Sequence, residues 1–292
     1  MKKGILFFTL TIIFLFSCKK EHKSSPQGDV KKYKVSFNVQ GFTSTVTGST
    51  SKLQTNTLKT AADEPLSSNA DIFYYNVYKT NTRTLVNFIS QLKTDPDFGK
   101  ISDSLPAGTY DIFMAAGKTG FYSIGGNLNY GTGNWQDTFS DKFTLTVAGS
   151  DVSQNVTLSR MDAQLEIDFS DIIPLNAQTI DVVLDKEYIE YDPFLDSPTK
   201  PGTVKITTVV PASAKGAANF QIRDIVLNTL DNFGVTVNCY DSAHNRIAYR
   251  FISGVHCQKN TRTVISGAIF GSNTNLTVTG EDWDPTPITV HF

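Results

Sequence analysis

Apolar and polar side chains alternate in short runs along most of this chain. Tyr33, Val35, Phe37 and Val39 alternate with Lys34, Ser36, Asn38 and Gln40. That period of two marks a strand with one buried face. Similar alternation, or a brief apolar run bounded by turn residues, predicts strands over 71–78, 84–90, 109–116, 142–147, 154–158 and 164–169. It continues over 179–184, 203–210, 219–227, 233–240, 246–252, 261–270, 275–283 and 286–292. Residues 79–83 and 241–246 read as hairpin connections. Residues 43–70 are rich in Thr, Ser, Gly and Asn and read as a long loop. Residues 117–137, rich in Gly, Asn and aromatics, read as an elaborate one. Helical periodicity is weak, with a short helix or turn expected only near Pro174 and over 211–218. Short strands punctuated by turns predict an all-β fold of two tandem sandwich domains, 32–159 and 160–292.

The N-terminus follows a different pattern. Lys2 and Lys3 precede an apolar run over 4–16, the charged and oily regions of a secretory signal. The run is too short to span a bilayer, which needs about 20 apolar residues. Leu15-Phe16-Ser17-Cys18 resembles a bacterial lipobox. The resemblance implies removal of residues 1–17, acylation of Cys18, and a polar tether over 18–31. Several acyl chains on one residue hold firmly to a membrane. Lys19-Lys20-Glu21 partly resembles the charged patch that sends Bacteroidetes lipoproteins to the cell surface. The expected location is therefore the outer membrane, facing outward.

Composition narrows the chemistry. Twenty Phe and 11 Tyr against 3 Met favour strands. Lys and Arg total 26 against 28 acidic residues, and loss of Lys2 and Lys3 makes the chain more acidic. That balance offers no basic surface for nucleic acid. Cys239 and Cys257 fit either a disulfide, allowed in an exported protein, or two small buried thiols. His256 and His244 nearby match no closed zinc pattern, so no metal or cofactor is expected. The sequence holds no G-x-S-x-G, H-E-x-x-H or P-loop, and a non-enzymatic role is expected. Asp95-Pro-Asp97-Phe-Gly99 suits a calcium loop or an ordinary turn. Glu281-Asp282-Trp283-Asp284 suits a cation or sugar site or a capped turn. Phe121, Tyr122, Tyr130 and Trp135 suit a carbohydrate platform or rings packed beneath a loop.

Three stretches carry a family resemblance. LPAGTYDIFMAAG (105–117), VTLSRMDAQLEIDF (156–169) and GEDWDPTPITVHF (280–292) resemble the Bacteroidetes fimbrillins and their minor anchor or tip subunits. The resemblance implies two transthyretin-like, Greek-key sandwiches. It also implies partners joined by strand addition, in which backbone hydrogen bonds supply affinity and alternate side chains fill pockets. Shaft pilins of that family lose lipid and first strand to an arginine-specific protease. Here the first arginine after the N-terminal signal is Arg83, so the strand over 33–42 and Cys18 should stay attached. That fits an anchor or accessory subunit of a fimbria-like assembly. Tyr33, Val35, Phe37, Val39, Ile288, Val290 and Phe292 are the candidate partner-strand residues. The alternative is a surface lipoprotein that binds host or environmental glycans.

Overall fold

The alternation over 33–39 is realised as strand β1 (Lys32–Thr43). Val35, Phe37 and Val39 point into the interior. The computed structural model describes residues 30–43, 65–124, 126–130, 135–271 and 276–282. Cys18 and the strand expected over 286–292 lie outside the described residues. A one-turn helix, α1 (Leu66–Asn69), stands at the end of the segment expected to be a loop.

Seven strands form the first sheet. They are β1, β2 (Ile72–Lys79), β3 (Leu85–Leu92), β4 (Lys100–Pro106), β5 (Gly108–Gly117), β8 (Thr138–Val147) and β9 (Val152–Arg160), in the order β3-β2-β5-β8-β9-β1-β4. β8 and β9 pair only at Phe139–Arg160 and Ser140–Ser159, so the sheet folds over there into two layers. Phe37 of one layer meets Tyr75 and Phe143 of the other at ring separations of 5.7 and 5.6 Å. At the far side β3 and β4 face each other without a backbone ladder. Asn87 Nδ2 donates to Asp103 at 2.9 Å and Gln91 Nε2 donates to the Lys100 carbonyl at 2.9 Å.

β4 is not among the strands expected from the alternation. Ile101 and Leu105 are its sole buried apolar residues. Asp103 stands between them and breaks the alternation. Its carboxylate is satisfied by the Tyr75 hydroxyl at 3.2 Å and by Asn87.

The second half builds two facing sheets, consistent with the expected all-β sandwich. One has the order β13 (Phe220–Val226), β10 (Ala163–Phe169), β16 (Thr261–Gly267), β17 (Leu276–Asp282). The other runs β15 (Arg246–Val255), β14 (Phe233–Tyr240), β11 (Thr179–Asp192), β7 (Asn127–Tyr130), β6 (Phe121–Ile124), with β12 (Ser197–Val209) also on β11. Leu165, Ile167 and Phe169 pack against Ile180, Val182, Val235 and Val237 between them. Residues 211–218 form a turn. Cys239 and Cys257 lie in this core as free thiols, so the disulfide considered from sequence is not formed. Burial pushes Cys239 up to about 11 and Cys257 up to about 12, which keeps both as inert thiols.

The expected loop over 117–137 holds the β6–β7 hairpin, which joins the second half through Leu128 and Tyr191. It seeds a third core. Tyr74, Tyr78 and Phe113 from the outer face of the first sheet pack with Phe121, Tyr130, Trp135, Tyr188 and Tyr191. β2 and β5 are thus buried on both faces. Strands of that kind read as continuous apolar runs rather than alternations, as Phe73-Tyr-Tyr-Asn-Val-Tyr78 does.

Candidate functional site

β1 occupies a slot. It pairs antiparallel with β4 from Lys32–Pro106 to Asn38–Lys100. On its other flank it pairs parallel with β9 from Val35–Val152 to Thr43–Ser159, with a bulge between Val39 and Phe42. Among the described residues β4 has no other ladder partner. The Lys34 N–H donates to Asp151 Oδ1 at 2.9 Å, and the Val39 N–H to the Gly99 carbonyl at 2.9 Å. Tyr33 is half-buried, while Val35, Phe37 and Val39 fill pockets in the first core. These are the N-terminal partner-strand candidates, and the structure sets all four in one strand inside the sheet. Ile288, Val290 and Phe292 lie outside the described residues.

Arg83 sits in the turn between β2 and β3. Its guanidinium lies 2.6 Å from Asp192 and over the Phe194 ring at 5.1 Å. A cut there would carry away β2 as well as β1. Because β2 is buried on both faces, such a cut would remove structure from two cores at once.

The expected glycan platform is not present. Phe121, Tyr130 and Trp135 are 1%, 4% and 2% exposed, and Tyr122 is half-buried. Phe121 stacks on Tyr130 at 5.2 Å, and Tyr130 meets Trp135 edge-on at 5.3 Å. Trp135 Nε1 donates to the Tyr188 carbonyl at 2.7 Å. Gly117 permits this packing, since a Cβ there would fall 2.5 Å from the Tyr130 hydroxyl. Asp95 belongs to an ordinary turn, accepting the Leu92 N–H at 2.8 Å. Among the described residues no group of three His, Cys, Asp or Glu is placed to hold a metal.

The junction between the halves is polar as well as aromatic. Arg160 forks onto Asp137, with Nε to Oδ1 at 2.5 Å and Nη2 to Oδ2 at 2.8 Å, and Nη1 reaches Asn260 at 2.9 Å. Asp162 is fully buried two residues on and accepts the Thr138 N–H at 2.7 Å. Desolvation holds its carboxyl well above the usual range.

Glu187 is buried in β11 at the end of its bulge. Oε1 accepts the N–H groups of Tyr188, Leu227 and Asn228 at 3.0, 2.8 and 3.0 Å. Burial outweighs those bonds and pushes the carboxyl up to about 8. The unfolded carboxyl ionises near 4.5, so between these values the folded state binds the extra proton. Its contribution is full below pH 4.5 and is lost as pH rises toward 8, at no more than about 1.4 kcal/mol per pH unit. Glu187→Gln is expected to flatten that fall by a few kcal/mol in urea unfolding series at pH 5 and 8. Parallel pH profiles for wild type and variant would show that Glu187 does not titrate in this window.

No protein-family profile matches the sequence, and no curated protein matches it. Solved structures do. A candidate polysaccharide-binding protein from Bacteroides thetaiotaomicron aligns at 9% identity with a TM-score of 0.53, over 88% of this chain and 100% of that one. A candidate adhesin from Bacteroides ovatus aligns at 10% identity and 0.50, over 86% and 93%. The fimbrial anchor protein Mfa2 from Porphyromonas gingivalis aligns at 11% identity and 0.49, over 87% and 98%. The two Bacteroides structures show that this chain shares their fold.

Proposed function

We propose that this protein is a lipid-anchored outer-membrane subunit, an anchor or accessory component of a fimbria-like surface assembly that joins its partners by strand addition. The observation that carries the reading is the place of β1. The first strand after the tether lies inside a sheet, flanked on both sides, and its apolar side chains fill the first core. A strand so held couples the folded body to whatever holds residue 18. The absence of any arginine between the signal and Arg83 supports its retention. The alternating Ile288, Val290 and Phe292 are the residues proposed to enter a partner's sheet, where exposed edges otherwise invite uncontrolled pairing.

Mass spectrometry of the membrane-extracted protein tests this. The expected result is a chain beginning at an acylated Cys18, with Cys18→Ser moving the protein to the soluble fraction. A mature chain beginning beyond residue 43 would make it a polymerising subunit instead.

A second reading is glycan contact at the cell surface. Its support is the fold shared with the candidate polysaccharide-binding protein, not the buried rings around Trp135.

A further inference from the structure

The outer face of the sheet containing β14 and β15 bears a different set of aromatics. Phe251 and Tyr249 are 51% and 46% exposed. They stand two residues apart on β15, so their side chains share one face about 7 Å apart. Phe251 is not a loosely projecting ring. A Cβ built on Gly234 of the neighbouring strand would lie 2.6 and 2.9 Å from two of its ring carbons. The ring therefore rests over a glycine, and about half of its surface is left to solvent. That leaves an exposed ring surface held in place against the neighbouring strand. Tyr249 is steadied separately, with the Arg246 guanidinium 5.0 Å from its ring centroid.

Hydrogen-bonding groups occupy the next strands on the same face. Thr236 is the ladder partner of Phe251, and Asn238 that of Tyr249. Beyond them come Asp181, paired with Asn238, and Lys205, which reaches Asp181 at 3.3 Å. Asp185 accepts the Gly234 N–H at 2.7 Å. The face thus sets Asp181 and Asp185 against Lys205 and Arg246, with no excess of either sign.

We infer that this face binds a neutral oligosaccharide. An aromatic face carries partial negative charge and suits the C–H-bearing face of a pyranose. Asn238 and Asp181 are buried beneath this surface, whereas the half-buried Thr236 and the exposed Asp185 and Lys205 suit sugar hydroxyls, in the usual pattern of an apolar support with a few placed polar groups. Balanced charge disfavours polyanions, which a basic surface would attract. The inference rests on the glycan reading above and gives it a location. It is independent of the lipid anchor.

Affinity electrophoresis of the full-length protein in detergent, through native gels cast with laminarin, xylan, yeast mannan or alginate, tests it. Retardation is expected in at least one of the three neutral gels. The double variant Tyr249→Ala/Phe251→Ala should lose at least tenfold in apparent affinity, while Phe251→Tyr should retain binding. Phe88→Ala, which removes an exposed ring on β3, should change nothing. Both alanine positions are exposed, and an unchanged melting temperature would confirm that folding is intact. Absence of retardation in every gel would end the glycan reading itself. Retardation in neutral gels that survives the double variant would end this placement alone. Retardation confined to alginate would overturn the neutral-sugar assignment. A double variant that binds glycan normally but fails to join surface assemblies would assign the face to a protein partner.

Discussion

A chain beginning at Pro65, and so lacking β1, is expected not to reach the native monomer. A peptide of residues 30–43 supplied in trans is expected to restore it. Val35, Phe37 and Val39 are buried in the first core. Burying an aliphatic or aromatic side chain contributes about 1.5–3 kcal/mol, so the three supply roughly 5–9 kcal/mol. A whole domain has only about 5–15 kcal/mol in hand. β4 would also lose its ladder partner, leaving the edge groups of β4 and β9 facing an empty slot. Near-ultraviolet circular dichroism and thermal melts would report the loss. Recovery of a cooperative melt with the peptide, but not with a Phe37→Asp peptide, would show that the slot selects its occupant by side-chain pockets. A truncated chain that melts like the full one would refute the account of β1 as a structural strand.

Arg160→Ala is expected to cost about 3–5 kcal/mol, the usual effect of removing one partner from a buried ion pair. Its guanidinium satisfies both oxygens of Asp137 and also reaches Asn260. Without it the Asp137 charge keeps its buried surroundings and loses its cation, beside a second carboxyl at Asp162. Arg160→Lys should recover little, because an ammonium does not reproduce the planar fork. The double variant Arg160→Ala/Asp137→Ala should be more stable than Arg160→Ala alone. Urea unfolding with unchanged m-values would measure each step. A loss below about 1 kcal/mol for Arg160→Ala would mean that the pair behaves like a solvated surface bridge.

The strands that were legible in the sequence are those whose apolar residues fall on one face only. β1, β10 and β14 carry apolar residues at every second position, and their bounds follow the alternation closely. The strands that were not legible owe their form to distant residues. β4 has Asp103 on its inward face, tolerable only because Tyr75 and Asn87 donate to it. The β6–β7 hairpin is short and rich in Asn and Tyr, and its pairing depends on Tyr191, far along the chain. The same residue types at Phe121, Tyr130 and Trp135 would serve a sugar platform or a core, since composition does not say what lies above a ring. In β15 the apolar residues Ile247, Tyr249 and Phe251 fall on odd positions while Ala248 and Ile252 fall on even ones. No reading of that pattern alone selects the face that meets solvent.

The placement of β1 has a mechanical corollary. Under the proposed anchoring through Cys18, tension reaching Lys32 would act along the strand, whereas its antiparallel ladder bonds to β4 lie across that direction. The strand is gripped on both flanks at once. A lengthwise pull must therefore shear both rows together, while a sideways pull would unzip them one bond after another. With the proposed lipid anchor, the strand would grip hardest in the direction in which it is loaded.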